Sequence, residues 1–121
     1  RELMKAVAGV VAGRAGEMTA QDIGKLSWSV AKLLYVDEGL MDAVAEEAIA
    51  KIGDFAPMQL TNTTWACAKL AIKNEGVVDS LCGATMGLVS EFSQQHLSNT
   101  AWAIATLGFT ITDKMQDFID E

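Results

Sequence analysis

Apolar residues between positions 40 and 52 fall at Leu40, Met41, Val44, Ala45, Ala48, Ile49 and Ile52. These intervals trace one stripe along an α-helix. A stripe in the same phase runs through residues 76–89 and, earlier, through residues 2–15. Between these segments the pattern predicts a second kind of helix over about 19–34, 56–71 and 93–108. Its starts carry cap chemistry. Thr19 is followed three residues later by Asp22, Ser93 is followed by His96, and Pro57 suits a first helical position. Gly108 suits the third stop. No segment alternates with the period of a strand, and the chain has one Pro. The fold class predicted is all-α.

The two kinds of helix belong to one repeating unit. Trp28, Trp65 and Trp102 are spaced by 37 residues, and sliding the chain by that interval aligns much more. Ile23, Leu60 and Leu97 coincide, as do Ala31, Ala68 and Ala105, and Leu33, Leu70 and Leu107. Met18, Phe55 and Phe92 share one position. Leu3, Leu40 and Val77 align. So do Met4, Met41, Val78 and Met115, and Val7, Val44, Leu81 and Phe118. A fixed period of this size is the mark of a solenoid or related array. The expected architecture is an α-solenoid of helical hairpins, a single array over residues 1–121. Residues 2–17 form the second helix (B) of a preceding unit. Residues 18–54 and 55–91 are full A–B units, and 92–121 a partial one in which 113–121 begin a further B helix. Neither end reads as the polar cap that arrays use, so the chain is expected to sit within a longer array or a larger complex.

Advancing 100° per residue from Trp28 puts Ile23, Leu26, Val30, Leu33 and Leu34 on the opposite arc, the side that should pack on helix B. Small residues flank the tryptophan: Ser27, Ser29 and Ala31, then Thr64, Ala66 and Ala68, then Ala101, Ala103 and Ala105. Small flanks let neighbouring A helices approach closely. Gly13 and Gly87 are likewise read as sites of close helix packing. The tryptophan arc itself holds Gln21, Lys25, Trp28 and Lys32 in the first unit, Met58, Asn62, Trp65 and Lys69 in the second, and Gln95, Asn99, Trp102 and Thr106 in the third. An indole here has two physical uses. It can lean across the small flank of the next helix with its N–H on an Asn, or it can stack on a partner. Asn62 and Asn99 carry the same alternative, tying repeats together or touching a ligand.

Charge sharpens this picture. The chain carries −7, whereas nucleic-acid partners usually present basic surface. The three predicted A helices nevertheless sum to +2, from Lys25, Lys32 and Lys69 against Asp22, and the remainder sums to −9. The acid lies on B helices and loops, for example Asp37, Glu38, Asp42, Glu46, Glu47 and Asp54, as expected for a solvated outer face. The second B helix is unusually apolar, with Gly83, Ala84 and Gly87 where polar residues are expected, which fits cover by a partner.

Catalytic chemistry is not predicted. His96, the sole histidine, stands at a helix start. No nucleophile–base set, phosphate loop or HExxH motif can be assembled. Cys67 and Cys82 lie among apolar neighbours and read as small core residues rather than metal ligands. Neither a metal nor a cofactor is expected. No apolar run approaches the length of a membrane helix, so membrane insertion is not expected.

The sequence Leu-x-Asn-x-x-Trp-Ala-x-Ala-x-Leu stands at Leu60, Asn62, Trp65, Ala66, Ala68 and Leu70, and again at Leu97, Asn99, Trp102, Ala103, Ala105 and Leu107. At this period it resembles the octotricopeptide repeats of organelle RNA-maturation and translation factors. It is also similar to the helical repeats beside the RAP domain in related organelle proteins. In the first copy Lys25 stands for Asn and Ser29 for Ala. The resemblance implies a mitochondrial or chloroplast protein whose A-helix face binds single-stranded RNA, about one base per repeat. Asn would read base edges, Lys would meet phosphate and Trp would stack. The contrasting expectation is a protein-interaction scaffold or structural subunit of a large assembly, favoured by the acidic bulk and the apolar second B helix.

Overall fold

The computed structural model describes residues 2–72 and 74–108. The further helix expected at 113–121 lies outside them. Among the described residues the fold is all-helical: α1 (Glu2–Gly13), α2 (Ala20–Lys32), α3 (Glu38–Ala50), α4 (Pro57–Lys69), α5 (Glu75–Leu88) and α6 (Gln94–Leu107). The A helices α2, α4 and α6 lie side by side in one layer, and the B helices α1, α3 and α5 in the other. This stacking of hairpins is compatible with the 37-residue repeat.

Local chemistry explains where each helix begins. Thr19 Oγ1 accepts from the Asp22 N–H at 3.1 Å while the Asp22 carboxylate accepts from the Thr19 N–H at 3.0 Å. This reciprocal box satisfies two amides that a helix start leaves open. Ser93 accepts from the His96 N–H at 3.1 Å, and Pro57 takes the first turn of α4. On the B helices, Asp37 and Asn74 accept from Leu40 and Val77. Each B helix runs on into a short 3-10 turn, at Ala15–Glu17, Ile52–Asp54 and Val89–Glu91. One extended residue follows each turn: Met18, Phe55 or Phe92, all buried.

The A helices stop in a way the sequence hides. Leu34, Ala71 and Gly108, one repeat position, all have left-handed backbone, with φ of 52°, 55° and 55°. The Tyr35 N–H donates to the Val30 carbonyl and the Leu34 N–H to the Ala31 carbonyl. Ile72 and Ala71 do the same to Cys67 and Ala68. These pairs form a Schellman stop, built twice on residues other than Gly.

The core fills the space between layers. Ile23, Leu40, Leu60, Val78 and Leu81 are its largest fully sealed side chains. Within the A layer, α4 is enclosed from both sides, and Thr61, Thr64, Ala66 and Ala68 are buried. Thr61 Oγ1 and Thr100 Oγ1 meet at 3.2 Å across the α4–α6 contact. Lys51, paired with Glu47 at 3.0 Å, donates to the carbonyls of Gly16 and Met18, tying α3 to the turn before α2.

Two expectations are corrected. Leu33 and Leu34 are exposed rather than part of the core stripe. Helix α2 ends at Lys32, and Leu34 turns left-handed. Leu70, which matches Leu33, packs on the cluster of Val30, Tyr35 and Leu40 from the preceding unit, and no described helix plays that part for Leu33. Gly13 and Gly87 are not sites of close approach, since a Cβ on either would meet nothing within 4 Å. The close approach is at Gly24, where a Cβ would come within 3.3 Å of Gln59 Cγ.

Candidate nucleic-acid interface

The nine residues singled out in the A helices occupy three parallel helices at equivalent positions. Lys25, Trp28 and Lys32 follow one another along α2 at the i, i+3, i+7 spacing that keeps side chains on one face. Asn62, Trp65 and Lys69 do so on α4, and Asn99, Trp102 and Thr106 on α6. Because α4 packs between α2 and α6, the positions form three rows across the layer: Lys25–Asn62–Asn99, Trp28–Trp65–Trp102 and Lys32–Lys69–Thr106. Seven of the nine side chains are exposed, and Asn62 and Trp65 are half-buried.

Contacts within the rows differ from helix to helix. The Trp65 and Trp102 rings have centroids 6.4 Å apart with planes tilted by 33°, within the range of favourable aromatic pairs. Trp28 has a different neighbour: Lys32 Nζ sits 5.5 Å from the centre of its ring, a cation–π arrangement. Trp28 and Trp102 each keep 45% of their surface exposed. The three indoles therefore share a register but have different neighbours.

Between α2 and α4 the surface opens into a cleft of about 220 Å³ lined by Gln21, Gly24, Lys25, Met58, Gln59 and Asn62. It unites Lys25 and Asn62, residues 37 positions apart. Its floor exists because Gly24 has no side chain and the helices approach there. Gln59 was missed by the pattern of the tryptophan arc. The signal for it was its place three residues after Ala56, where its Oε1 accepts from the Ala56 N–H at 2.9 Å and caps α4. The one acid within α2, α4 and α6 is Asp22. Hydrogen bonds from the Thr19 backbone and side chain hold its carboxyl below the usual range, with a smaller contribution from Lys25.

The remaining chemistry-bearing side chains lie away from this surface. Cys67 is buried, and desolvation pushes its thiol up to about 12. Cys82 is half-buried on α5 rather than sealed in the core. The His96 ring packs edge-on against Phe92, with centroids 6.1 Å apart. Among the described residues no group of three His, Cys, Asp or Glu is placed to hold a metal ion. No helix there is long and apolar enough to cross a membrane.

A search of the curated proteins returned no match. The family described as RNA-editing substrate-binding complex 6 protein matches residues 2–117, nearly the whole chain. A match of that extent takes in the six described helices and the whole ridge of tryptophan, lysine and asparagine: the chain belongs to the RNA-editing substrate-binding complex 6 protein family.

Proposed function

We propose that this chain is a non-catalytic binding module that holds single-stranded RNA along its A-helix face, within the kind of assembly its family's name describes. The observation that carries the reading is the row of Trp28, Trp65 and Trp102 on a surface of lysines and carboxamides, opposite an acidic B layer. Bases stack on aromatic faces with little regard to sequence, phosphates are met by Lys25, Lys32 and Lys69, and Asn62 and Asn99 offer both a donor and an acceptor to base edges. The octotricopeptide resemblance of helix A supports the same face, and its mitochondrial or chloroplast setting is part of the proposal, read by fractionation of the native protein.

A second reading has its own support. The exposed side of α5 carries Gly83, Met86 and Gly87, a smooth surface suited to a protein neighbour, so the module would also act as a scaffold. The two readings separate on salt. With three lysines on phosphates and a single-strand slope of about −0.7 per contact, affinity should fall roughly 20-fold between about 50 and 200 mM salt. Fluorescence anisotropy of labelled random-sequence RNA measures this. Lys69→Glu should weaken binding and reduce the fall to roughly 7-fold or less without unfolding the chain. Absence of binding at low salt, or a slope untouched by Lys69→Glu, counts against the RNA face and leaves the scaffold.

A further inference from the structure

The two seams between neighbouring A helices are not equivalent. At the α2–α4 seam a cleft of about 220 Å³ is lined by Gln21, Gly24, Lys25, Met58, Gln59 and Asn62. Helix α2 supplies Gln21 and Lys25, one turn apart, and α4 supplies Gln59 and Asn62. One unit on, Gln21, Gly24, Lys25 and Gln59 become Met58, Thr61, Asn62 and His96. Thr61 is buried, and its hydroxyl meets that of Thr100 across the α4–α6 contact at 3.2 Å. A side chain thus replaces the bare backbone of Gly24, and no lysine stands at the equivalent positions.

What the cleft offers a ligand is donors. Lys25 has nothing else to offer. Gln59 spends its Oε1 on the Ala56 N–H at 2.9 Å, which fixes the amide and leaves Nε2 to donate. Gln21 and Asn62 can each turn an amide N–H the same way. No carboxylate lines the cleft, and Asp22, on the same turn of α2, keeps its carboxylate on the Thr19 N–H at 3.0 Å. Most base edges mix donors with acceptors. A phosphate group only accepts, and it matches a set of donors around one lysine charge. We infer that this cleft seats one phosphate group, held by Lys25, Gln59 and Gln21, with the Asn62 acceptor left for the base beside it. The inference rests on the RNA reading for the source of that phosphate, though not for the seat itself. The lysine rows attract a backbone anywhere along the face, whereas this seam fixes the point at which a strand is held. Gln59 becomes a binding residue although it lies outside the tryptophan arc.

Gln59→Glu tests the seat, because a glutamate here still caps α4 but puts a carboxylate where Nε2 donated. In the full chain it should weaken single-stranded RNA at least about tenfold, the low end for a hydrogen bond to a charged group. The loss should be equal for oligo(U) and oligo(A), since phosphate contacts carry no sequence. Gln94→Glu adds the same charge on the exposed start of α6 and should cost less than about threefold in moderate salt. Should Gln59→Glu unfold by circular dichroism, Gln21→Glu, on the exposed first turn of α2, is read in the same way. NMR separates the sources of phosphate: inorganic phosphate should shift the Gln59 side-chain amide, and chloride at equal ionic strength should not. Weakened RNA binding without that shift assigns the seat to the strand alone. The shift without an effect on RNA assigns it to free phosphate, and if no RNA binds at all the RNA reading falls while the seat stands. RNA binding that ignores Gln59→Glu, with no shift by phosphate, overturns the seat and leaves the RNA reading. A loss confined to one of the two oligomers overturns it too, because the contact is then to a base.

Discussion

Trp102→Ala separates a tryptophan that stacks on a ligand from one that only spaces helices. Trp102 keeps 45% of its surface exposed and touches Trp65, so a little over half of the ring is covered by protein. An indole side chain buries on the order of 200 Å² when sealed. Covering half of that is about 100 Å², or about 2.5 kcal/mol at 25 cal/mol per Å². Compactness of the unfolded chain trims the figure, leaving an expected loss of about 1–2 kcal/mol in a urea melt followed by circular dichroism. The binding effect is of a different kind. Stacking contributes about 1–3 kcal/mol per base, so the affinity for single-stranded RNA should fall about 5- to 150-fold. No phosphate contact is removed, so the slope of log K against log salt should stay where it was. Trp102→Phe keeps a ring and should recover part of the loss. A folded Trp102→Ala protein that binds RNA within about twofold of the parent, against the ~1 kcal/mol minimum expected of stacking, refutes the reasoning and makes the indole a spacer.

Two further outcomes test the local physics. Ala71 is held at φ 55°, where Gly108 stands in the next unit. A left-handed non-glycine residue costs about 1–2 kcal/mol and glycine's extra unfolded-state freedom returns about half of that, so Ala71→Gly should raise the urea midpoint, and a lowered midpoint would contradict the Schellman assignment. The Asp22 carboxyl is depressed by hydrogen bonds from Thr19. The stabilisation it gives is therefore present above its unfolded pKa and lost as pH falls through the lower folded value. NMR should find Asp22 titrating below the usual aspartate range and Thr19→Ala should move it upward. The stability gap between the parent and Asp22→Asn should narrow in strong acid, and a gap independent of pH would remove Asp22 from the cap.

Much of this architecture was legible because helix starts and repeat registers are written in side-chain chemistry. Thr19 with Asp22, Pro57 and Ser93 mark three starts, and each is where a helix begins. The helix stops were not legible at Leu34 and Ala71, because a left-handed stop is recognised by Gly or Asn and neither stands there. The 37-residue register alone could have transferred the stop from Gly108. Glycine was also misread in the other direction. Whether a missing Cβ serves a close approach depends on the facing helix, and among the described glycines only at Gly24 would a Cβ meet a neighbour's backbone within 4 Å, Gln59 Cα at 3.4 Å. The tryptophan row followed from a rotation of 100° per residue. Its contacts did not, since they depend on rotamers: Trp65 turns to Trp102, and Trp28 lies under Lys32.

Those differences bear on what the row is for. Helix α4 has a neighbour on each side, and residues whose task is to let helices meet are sealed there: Thr61, Thr64, Ala66 and Ala68 are all buried. Trp65 lies on the same helix, has Trp102 against it, and still is not sealed. If its task were spacing, the middle position of the array is where it should have disappeared from the surface. Trp28 and Trp102, each with described helices on one side only, expose more. Exposure therefore tracks the number of neighbours and does not fall to zero when both are present. A spacer gains nothing from the water-facing remainder of an indole, whereas a stacking platform requires it. The geometry of Trp65, more than that of the two outer rings, is the physical reason to look for the ligand on this face.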